Sequence, residues 1–128
     1  MNSCIISVGS NIDASNNIAK MIELLSQIVV IVKISKFETT LPIGKINQED
    51  FTNGAILVET ELDSATLKKL LKQIEDKLGR DRTADNYGPR TMDLDILVWN
   101  NKIVDNDYFE RDFLRKSVAE LGFDNLDK

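Results

Sequence analysis

Residues 88–99 read GPRTMDLDILVW, and the apolar second half of this stretch predicts a buried β-strand. Side chains alternate between the two faces of a strand. One face holds the apolar side chains that we expect in the core, which are Leu94, Ile96 and Val98. Asp93 and Asp95 share the other face, with their Cα atoms roughly 6.6 Å apart. Aspartate is uncommon in strands, so the pair indicates a functional site on this strand.

Outward from this stretch, the chain alternates predicted strands and helices. Strands are predicted at residues 4–8, 29–37, 55–60 and 92–99, with a short fifth strand at 102–104. Apolar residues at helical spacing predict helices over 18–28 and from Asp63 to Gly79, with weaker helical character at 108–121. Long loops are predicted at 39–49 and 80–90. The order βαββαβ indicates an α+β, ferredoxin-like fold, in which two helices cover a mostly antiparallel four-stranded sheet.

Composition and charge limit the class of protein. The chain has 128 residues, 42% hydrophobic and 29% charged, so we expect one globular domain over residues 1–128. A net charge of −5 disfavours nucleic acid as a partner. No segment approaches the roughly 20 apolar residues of a membrane span, and the first residues lack the basic part of a signal peptide. We therefore expect no membrane association, and a monomer or weak oligomer.

Cysteine usage points to a reducing compartment. Cys4 is the single cysteine, which excludes an internal disulfide and favours a cytoplasmic location. The chain contains no histidine that could activate the thiol. Cys4 is therefore predicted to be a buried strand residue rather than a nucleophile.

Asp93 and Asp95 are candidate magnesium ligands. Two carboxylates on one strand face can converge on one or two hard cations, and paired magnesium ions lie about 3.5–4 Å apart in phosphoryl-transfer sites. Arg80, Arg82 and Arg90 could gather around a triphosphate whose remaining charge the bound magnesium offsets. The simpler alternatives are an exposed strand face that happens to carry two aspartates, and arginines that cap a helix or face solvent.

Several motifs occur together in a recognisable order. They are Gly9-Ser10-Asn11, Phe37-Glu38-Thr39 with Pro42-Ile43-Gly44, Asp50-Phe51-Thr52-Asn53-Gly54-Ala55, Glu75 with Leu78-Gly79-Arg80-Asp81-Arg82, and Tyr87-Gly88-Pro89-Arg90-Thr91-Met92-Asp93-Leu94-Asp95-Ile96. In these motifs, over about residues 4–98, the chain resembles the 6-hydroxymethyl-7,8-dihydropterin pyrophosphokinase family. The Gly-Pro-Arg-Thr-x-Asp-x-Asp element is the most specific of them.

The resemblance implies an activity and a set of site residues. Pyrophosphate would pass from ATP to the hydroxymethyl group of the pterin, giving AMP in folate biosynthesis. Two magnesium ions on Asp93 and Asp95 would bridge ATP and the pterin oxygen, with Arg80 and Arg90 as further catalytic residues. The implied ATP contacts are Arg80, Arg82, Arg90, Ile96 and Arg111. The implied pterin contacts are Thr40, Leu41, Pro42, Ile43, Phe51, Asn53 and Phe113.

Other parts of the chain depart from the family pattern. The family usually has a histidine after the Asp-x-Asp strand, whereas Val104–Tyr108 is acidic here and would repel triphosphate. Lys72 stands at a helix position that is often neutral, Asn86 where a basic residue is common, and the segment after Phe113 is shorter than usual. These differences favour, as the alternative, a non-catalytic or weakly active pterin- or nucleotide-binding relative. An RNA-binding module is favoured by topology alone, and ordinary core packing is the alternative role for Phe51 and Phe113.

Overall fold

The structure, a computed structural model, describes residues 1–40, 50–79 and 91–122. The strands are β1 (Asn2–Ser10), β2 (Val30–Ile34), β3 (Glu38–Thr40), β4 (Phe51–Thr60), β5 (Asp93–Trp99) and β6 (Lys102–Ile103). The helices are α1 (Ala14–Ser26), α2 (Ser64–Lys77), α3 (Asp107–Glu110) and α4 (Asp112–Glu120). The α+β class predicted from the sequence is confirmed.

The sheet is antiparallel throughout its described pairings. Its strand order is β2-β4-β1-β5-β6, with β3 paired to β4, so β1 is held between β4 and β5. The sheet has six strands instead of the predicted four. The short strand β6 was anticipated at 102–104. Strand β3 was not, because Thr39 and Thr40 were assigned to a loop.

Hydrophobic cores lie on both faces of the sheet. Helices α1 and α2 cover one face through apolar residues at helical spacing, which are Ile18, Met21, Leu25, Leu67, Leu71 and Ile74. Helix α4 covers the other face, where Leu114 and Val118 pack with Ile5 and Ala55. The predicted arrangement of two helices is therefore incomplete, since the weakly helical 108–121 segment supplies the layer on the second face.

The ends of α2 follow the local signals in the sequence. The side chain of Asp63 accepts a hydrogen bond from the backbone N–H of Thr66 at 2.7 Å, which caps the first turn. Gly79 follows the last turn with φ +86°, a conformation that glycine adopts readily. No helix in the described ranges is long and apolar enough to span a membrane.

A register shift in β5 changes which face its second half presents. Ile6 is opposite Ile96, but Ile5 is opposite Val98, so Leu97 is an extra residue in the pairing with β1. Leu94 and Ile96 face α1 and α2, as predicted. Val98 instead belongs to the core beneath α4, so its predicted direction is wrong. The extra residue in the bulge reverses the alternation of side chains from that point.

Candidate functional site

A small cleft lies between the sheet and the segment that starts α4. Its lining is formed by Ser7, Val8, Gly9, Asn53, Asp93, Asp95, Asp107, Arg111, Phe113 and Leu114. Five of these were singled out in the sequence, namely Asn53, Asp93, Asp95, Arg111 and Phe113. The fold therefore brings together residues that are up to 60 positions apart in the chain.

Strand pairing explains why these side chains meet. Gly9 of β1 is opposite Asn53 of β4 on one side and Asp93 of β5 on the other, and Ser7 is opposite Asp95. Directly paired residues point to the same face of an antiparallel sheet. Gly9 leaves the floor of the cleft open, because a Cβ placed there would lie 3.0 Å from Asn53 Oδ1.

Asn53 is buried and held by its neighbours. Its Nδ2 donates a hydrogen bond to Thr40 Oγ1 from the short strand β3. Thr40 is in turn opposite Phe51 in the β3–β4 pairing. The Phe51 ring lies beside Gly9, with Cδ1 3.9 Å from the position that a Gly9 Cβ would take. Thr40 and Phe51, both predicted site residues, thus border the cleft.

A large cleft of about 560 Å³ lies along the other side of β5, next to α2. Its lining is formed by Ser64, Ala65, Lys68, Leu71, Lys72, Leu94, Asp95, Ile96, Trp99, Val104, Asp105 and Asn106. Ile96, predicted to contact ATP, lies on this wall. Arg111, predicted to do the same, lines the small cleft instead. Asp95 lines both clefts and is the residue that their described linings share.

The electrostatic environment of Asp95 is dominated by burial and by other acids. Desolvation raises the pKa of Asp95 to about 6, and the nearby charge of Asp93 adds to the effect. Lys72 lowers the pKa, since its Nζ lies 3.8 Å from Asp95 Oδ1. Glu75 and Asp105 raise it further. The side chain is still 42% exposed, so a ligand in either cleft can reach it.

Two further contacts fix the backbone that carries the aspartates. Glu75 is fully buried, and its Oε2 accepts a hydrogen bond from the backbone N–H of Leu94 at 2.7 Å. Leu94 lies between Asp93 and Asp95, so α2 holds β5 at the point where the carboxylates project. At the start of the strand, the Ser10 hydroxyl donates to the Thr91 carbonyl oxygen at 2.7 Å.

The donor set of the small cleft suits magnesium. Within the described ranges, no group of three or more histidine, cysteine, aspartate or glutamate residues could hold a metal ion. Magnesium usually retains several waters and binds one or two carboxylates together with substrate phosphates. Asp93 and Asp95 supply two such carboxylates to the small cleft, and Asp95 also lines the large cleft of about 560 Å³. They fit a magnesium site that the substrate completes.

Other predicted residues lie elsewhere. Six predicted site residues lie outside the described residues, namely Arg80, Arg82, Arg90, Leu41, Pro42 and Ile43. The same is true of the whole predicted loop 80–90 and of residues 41–49 in the other loop.

Cys4 is buried in β1, and burial raises the pKa of its thiol to about 12. The thiol therefore stays protonated at neutral pH, which agrees with the predicted structural role.

Sequence reasoning assigned no role in the site to several residues that line it. Lys68 and Lys72 are one helical turn apart on the polar side of α2, a spacing that could have indicated a common face. Ser7 and Asp107 carry no such local signal. Their place depends on the pairing of β1 with β5 and on how the 105–107 turn lies against the sheet.

The chain is similar to known pterin pyrophosphokinases over most of its length. The model of the 7,8-dihydro-6-hydroxymethylpterin-pyrophosphokinase family matches residues 5–122. A 2-amino-4-hydroxy-6-hydroxymethyldihydropteridine pyrophosphokinase from Bacillus subtilis is 35% identical over 91% of the chain and 75% of its own length. The enzyme of that name from Haemophilus influenzae is 32% identical over 93% and 81%. The bifunctional protein FolKE of Lactococcus lactis is 33% identical over 94% of the chain and 38% of its own length.

Proposed function

The chain belongs to the 7,8-dihydro-6-hydroxymethylpterin-pyrophosphokinase family, and from this membership we propose how its two clefts divide the reaction. It is an ATP-dependent enzyme that transfers pyrophosphate to hydroxymethyldihydropterin in folate synthesis. The small cleft binds the pterin and the large cleft binds ATP. The observation that carries this assignment is the position of Asp95 on the wall of both clefts.

The small cleft, with a volume of about 40 Å³ between the described residues, offers side-chain groups that suit a flat, polar heterocycle. Phe113 supplies an aromatic face for stacking. The Asn53 amide carries both donor and acceptor groups, and its contact with Thr40 holds the amide in one orientation. Phe51 closes the side next to Gly9. The proposal also assigns pterin contacts to Leu41, Pro42 and Ile43, and the support for their role is the Pro42-Ile43-Gly44 motif.

The large cleft offers an apolar wall and basic side chains. Ile96 and Trp99 belong to the apolar part of the lining, against which the adenine lies. Arg80, Arg82 and Arg90 bind the phosphates, and the support for their role is their place in the Leu-Gly-Arg-Asp-Arg and Gly-Pro-Arg motifs. Arg111 reaches the transferred phosphates from the side of the small cleft.

Asp93 and Asp95 would hold magnesium, and two ions are expected with ATP. When bound there, magnesium would neutralise charge on the phosphates and lower the repulsion that the pterin oxygen meets at the β-phosphorus. The chain itself orients the reactants. Phe113 and Asn53 fix the pterin so that its hydroxymethyl oxygen points along β5 towards Asp95. AMP then leaves through the large cleft.

The topology supports the predicted ferredoxin-like plan. The four longer strands have the order β2-β4-β1-β5, with antiparallel neighbours, and α1 and α2 lie on one face. In each strand-helix-strand unit, β1-α1-β2 and β4-α2-β5, the two strands are separated by one other strand, as this plan requires. We assign residues 1–128 to one such domain, since β1 joins strands from both halves of the chain.

The experiment that tests the proposal measures AMP formed by the purified protein from ATP, magnesium and 6-hydroxymethyl-7,8-dihydropterin. We expect AMP only when the pterin is present, and almost none from the variant Asp95→Asn. The substitution removes a proposed magnesium ligand, and losing one contact that stabilises the transferring phosphate costs about 3 kcal/mol. Undiminished activity of Asp95→Asn would contradict the site. Binding of either substrate by calorimetry without turnover would support the non-catalytic alternative. Two acidic residues favour that alternative, since Asp105 lines the large cleft and Asp107 the small one.

A further inference from the structure

Lys72 connects the two acids that organise the centre of the site. Its Nζ lies 3.8 Å from Asp95 Oδ1 and 3.6 Å from Glu75 Oε1. The side chain is 36% exposed and forms part of the wall of the large cleft. The ammonium group therefore touches a proposed magnesium ligand and also faces the space proposed for ATP.

The two acids hold Lys72 in different ways. Glu75 is fully buried and fixed through the N–H of Leu94, so its carboxylate cannot follow a ligand. Asp95 is 42% exposed at the junction of the clefts. Lys72 thus contacts one carboxyl group that is fixed by the backbone of β5 and another whose charge a bound cation would neutralise.

The charged side chains that line the large cleft determine which residues can bind a triphosphate there. Among the residues that the structure describes, these side chains are Lys68 and Lys72 on α2, opposed by Asp95 and Asp105. A triphosphate brings several negative charges into this space, and nearby acids repel it. Lys68 and Lys72, one helical turn apart on one face of α2, are the cations that the described lining provides.

We propose that Lys72 is an ATP-phosphate-binding residue that occupies Asp95 in the unliganded protein and turns to the phosphates when MgATP binds. This inference rests on the proposed function of the two clefts. The Lys72 ammonium group lies 3.8 Å from Asp95 Oδ1, so a magnesium ion held by that carboxylate would repel it. The flexible lysine stem and its three donors allow Nζ to exchange that carboxylate for a phosphate oxygen next to it.

Two binding measurements with opposite expected signs test the proposal. We compare wild type with Lys72→Met and Lys72→Arg, and use Lys69→Met as a control on an exposed part of α2 that does not line the cleft. By calorimetry, Lys72→Met should bind MgATP about tenfold more weakly, the effect of one lost charge-assisted hydrogen bond. By electron paramagnetic resonance, the same variant should bind Mn²⁺ alone about threefold more tightly, because Asp95 loses a competing cation. Lys72→Arg and Lys69→Met should remain close to wild type for MgATP.

Several results would overturn the proposal. One is wild-type affinity of Lys72→Met for MgATP, together with loss of activity in Asp95→Asn, which would leave the proposed function standing. Weaker binding of both MgATP and Mn²⁺ would mean that Lys72 only supports the structure. Failure of the wild type to bind MgATP would remove the proposed function as well.

A measurement on the wild-type protein covers the case in which the substitution prevents folding. Reductive methylation followed by peptide mass spectrometry should show MgATP slowing the labelling of Lys72 several-fold, with Lys69 unaffected. AMP, which carries one phosphate, should protect Lys72 less than ATP does. Equal labelling of Lys72 with and without MgATP would overturn the proposal.

Discussion

At the scale of single residues, the site contains side chains at which a small change in charge or volume should alter stability or substrate binding. Asp93 and Asp95 were identified by alternation along one strand, a local property that the sequence states directly. Lys72 and Glu75 were not assigned a role, because their contact with Asp95 and Leu94 exists only when α2 is docked against β5. Local geometry thus identified the two aspartates, whereas Asn53, Arg111 and Phe113 were identified through the family resemblance.

The charge of Asp95 should make the metal-free protein less stable at neutral pH. Its pKa is raised to about 6, so the folded state favours the neutral acid. The stability that comes with the neutral form is present below the ordinary pKa near 4 and is lost as the pH rises through about 6. Asp95→Asn should therefore raise the free energy of unfolding at pH 7.5 by about 1 kcal/mol, a value reduced for partial exposure.

Thermal unfolding in EDTA at pH 4 and pH 7.5 checks this expectation. At pH 7.5 the variant should melt about 3 °C above the wild type, and at pH 4 the two proteins should melt together. A difference between them that is the same at both pH values would show that the charge is not the cause.

Gly9 should control the position of the Asn53 amide. In Gly9→Ala the new Cβ would lie 3.0 Å from Asn53 Oδ1, so the amide must shift by a few tenths of an ångström. We expect the KM for the pterin to rise about fivefold, equivalent to about 1 kcal/mol, with the KM for ATP unchanged. Steady-state kinetics measures both.

Gly54→Ala is the matched control for this substitution. Its Cβ would come within 2.6 Å of the Phe37 ring, which packs with the core on the other face of the sheet. Overpacking should lower the free energy of unfolding by about 1–3 kcal/mol without a selective effect on the pterin KM. If Gly54→Ala changed that KM as much as Gly9→Ala does, the steric argument would fail.

At the scale of elements, helix α2 serves both as a core helix and as a support for β5. Strand β6 pairs with β5 only at Val98 and Trp99, so it does not reach the first half of β5. There the backbone N–H of Leu94 donates its hydrogen bond to Glu75 of α2 instead. Hydrophobic periodicity predicted the buried stripe of this helix. The periodicity did not indicate that Glu75 is buried, because a glutamate counts as polar in any pattern of apolar residues.

Replacement of Glu75 should separate the two parts of its role. Glu75→Ala leaves the buried Leu94 N–H without this acceptor, which should lower the free energy of unfolding by about 1–3 kcal/mol. Glu75→Gln keeps an acceptor oxygen of similar shape, and its loss should be smaller. Urea unfolding of the two variants makes the comparison. An equal loss in both would mean that charge, and not the hydrogen bond to β5, is what matters.

At the scale of the whole molecule, the sheet separates two hydrophobic cores, and the one under α4 adjoins the small cleft. The core under α1 and α2 was predicted from sequence, since its strands and helices have clear periodicity. The core under α4 was not, because the helical pattern at 108–121 is weak and the bulge at Leu97 redirects Val98 into it. A bulge has no reliable signature in a single strand, since it is defined by the partner strand.

Core substitutions on the two faces should have similar effects on stability and different effects on binding. Leu67→Ala and Leu114→Ala each remove a buried side chain and should lower the free energy of unfolding by about 2–4 kcal/mol. Leu114 directly follows Phe113 on the wall of the small cleft, so only Leu114→Ala should also raise the pterin KM. Urea unfolding measures the stability of both variants, and steady-state kinetics at a temperature where both stay folded measures the pterin KM. An equal rise in the pterin KM for Leu67→Ala would contradict the prediction.

The central place of β1 has a consequence for biosynthesis. Cys4 pairs with Val58 on one side and with Trp99 on the other, so β1 leaves the ribosome long before either partner strand exists. At about 5–20 residues per second, the apolar segment Cys4–Val8 waits several seconds with both of its edges open. During that interval it is a target for chaperones and for mispairing between nascent chains, and contacts this distant in sequence favour slow folding.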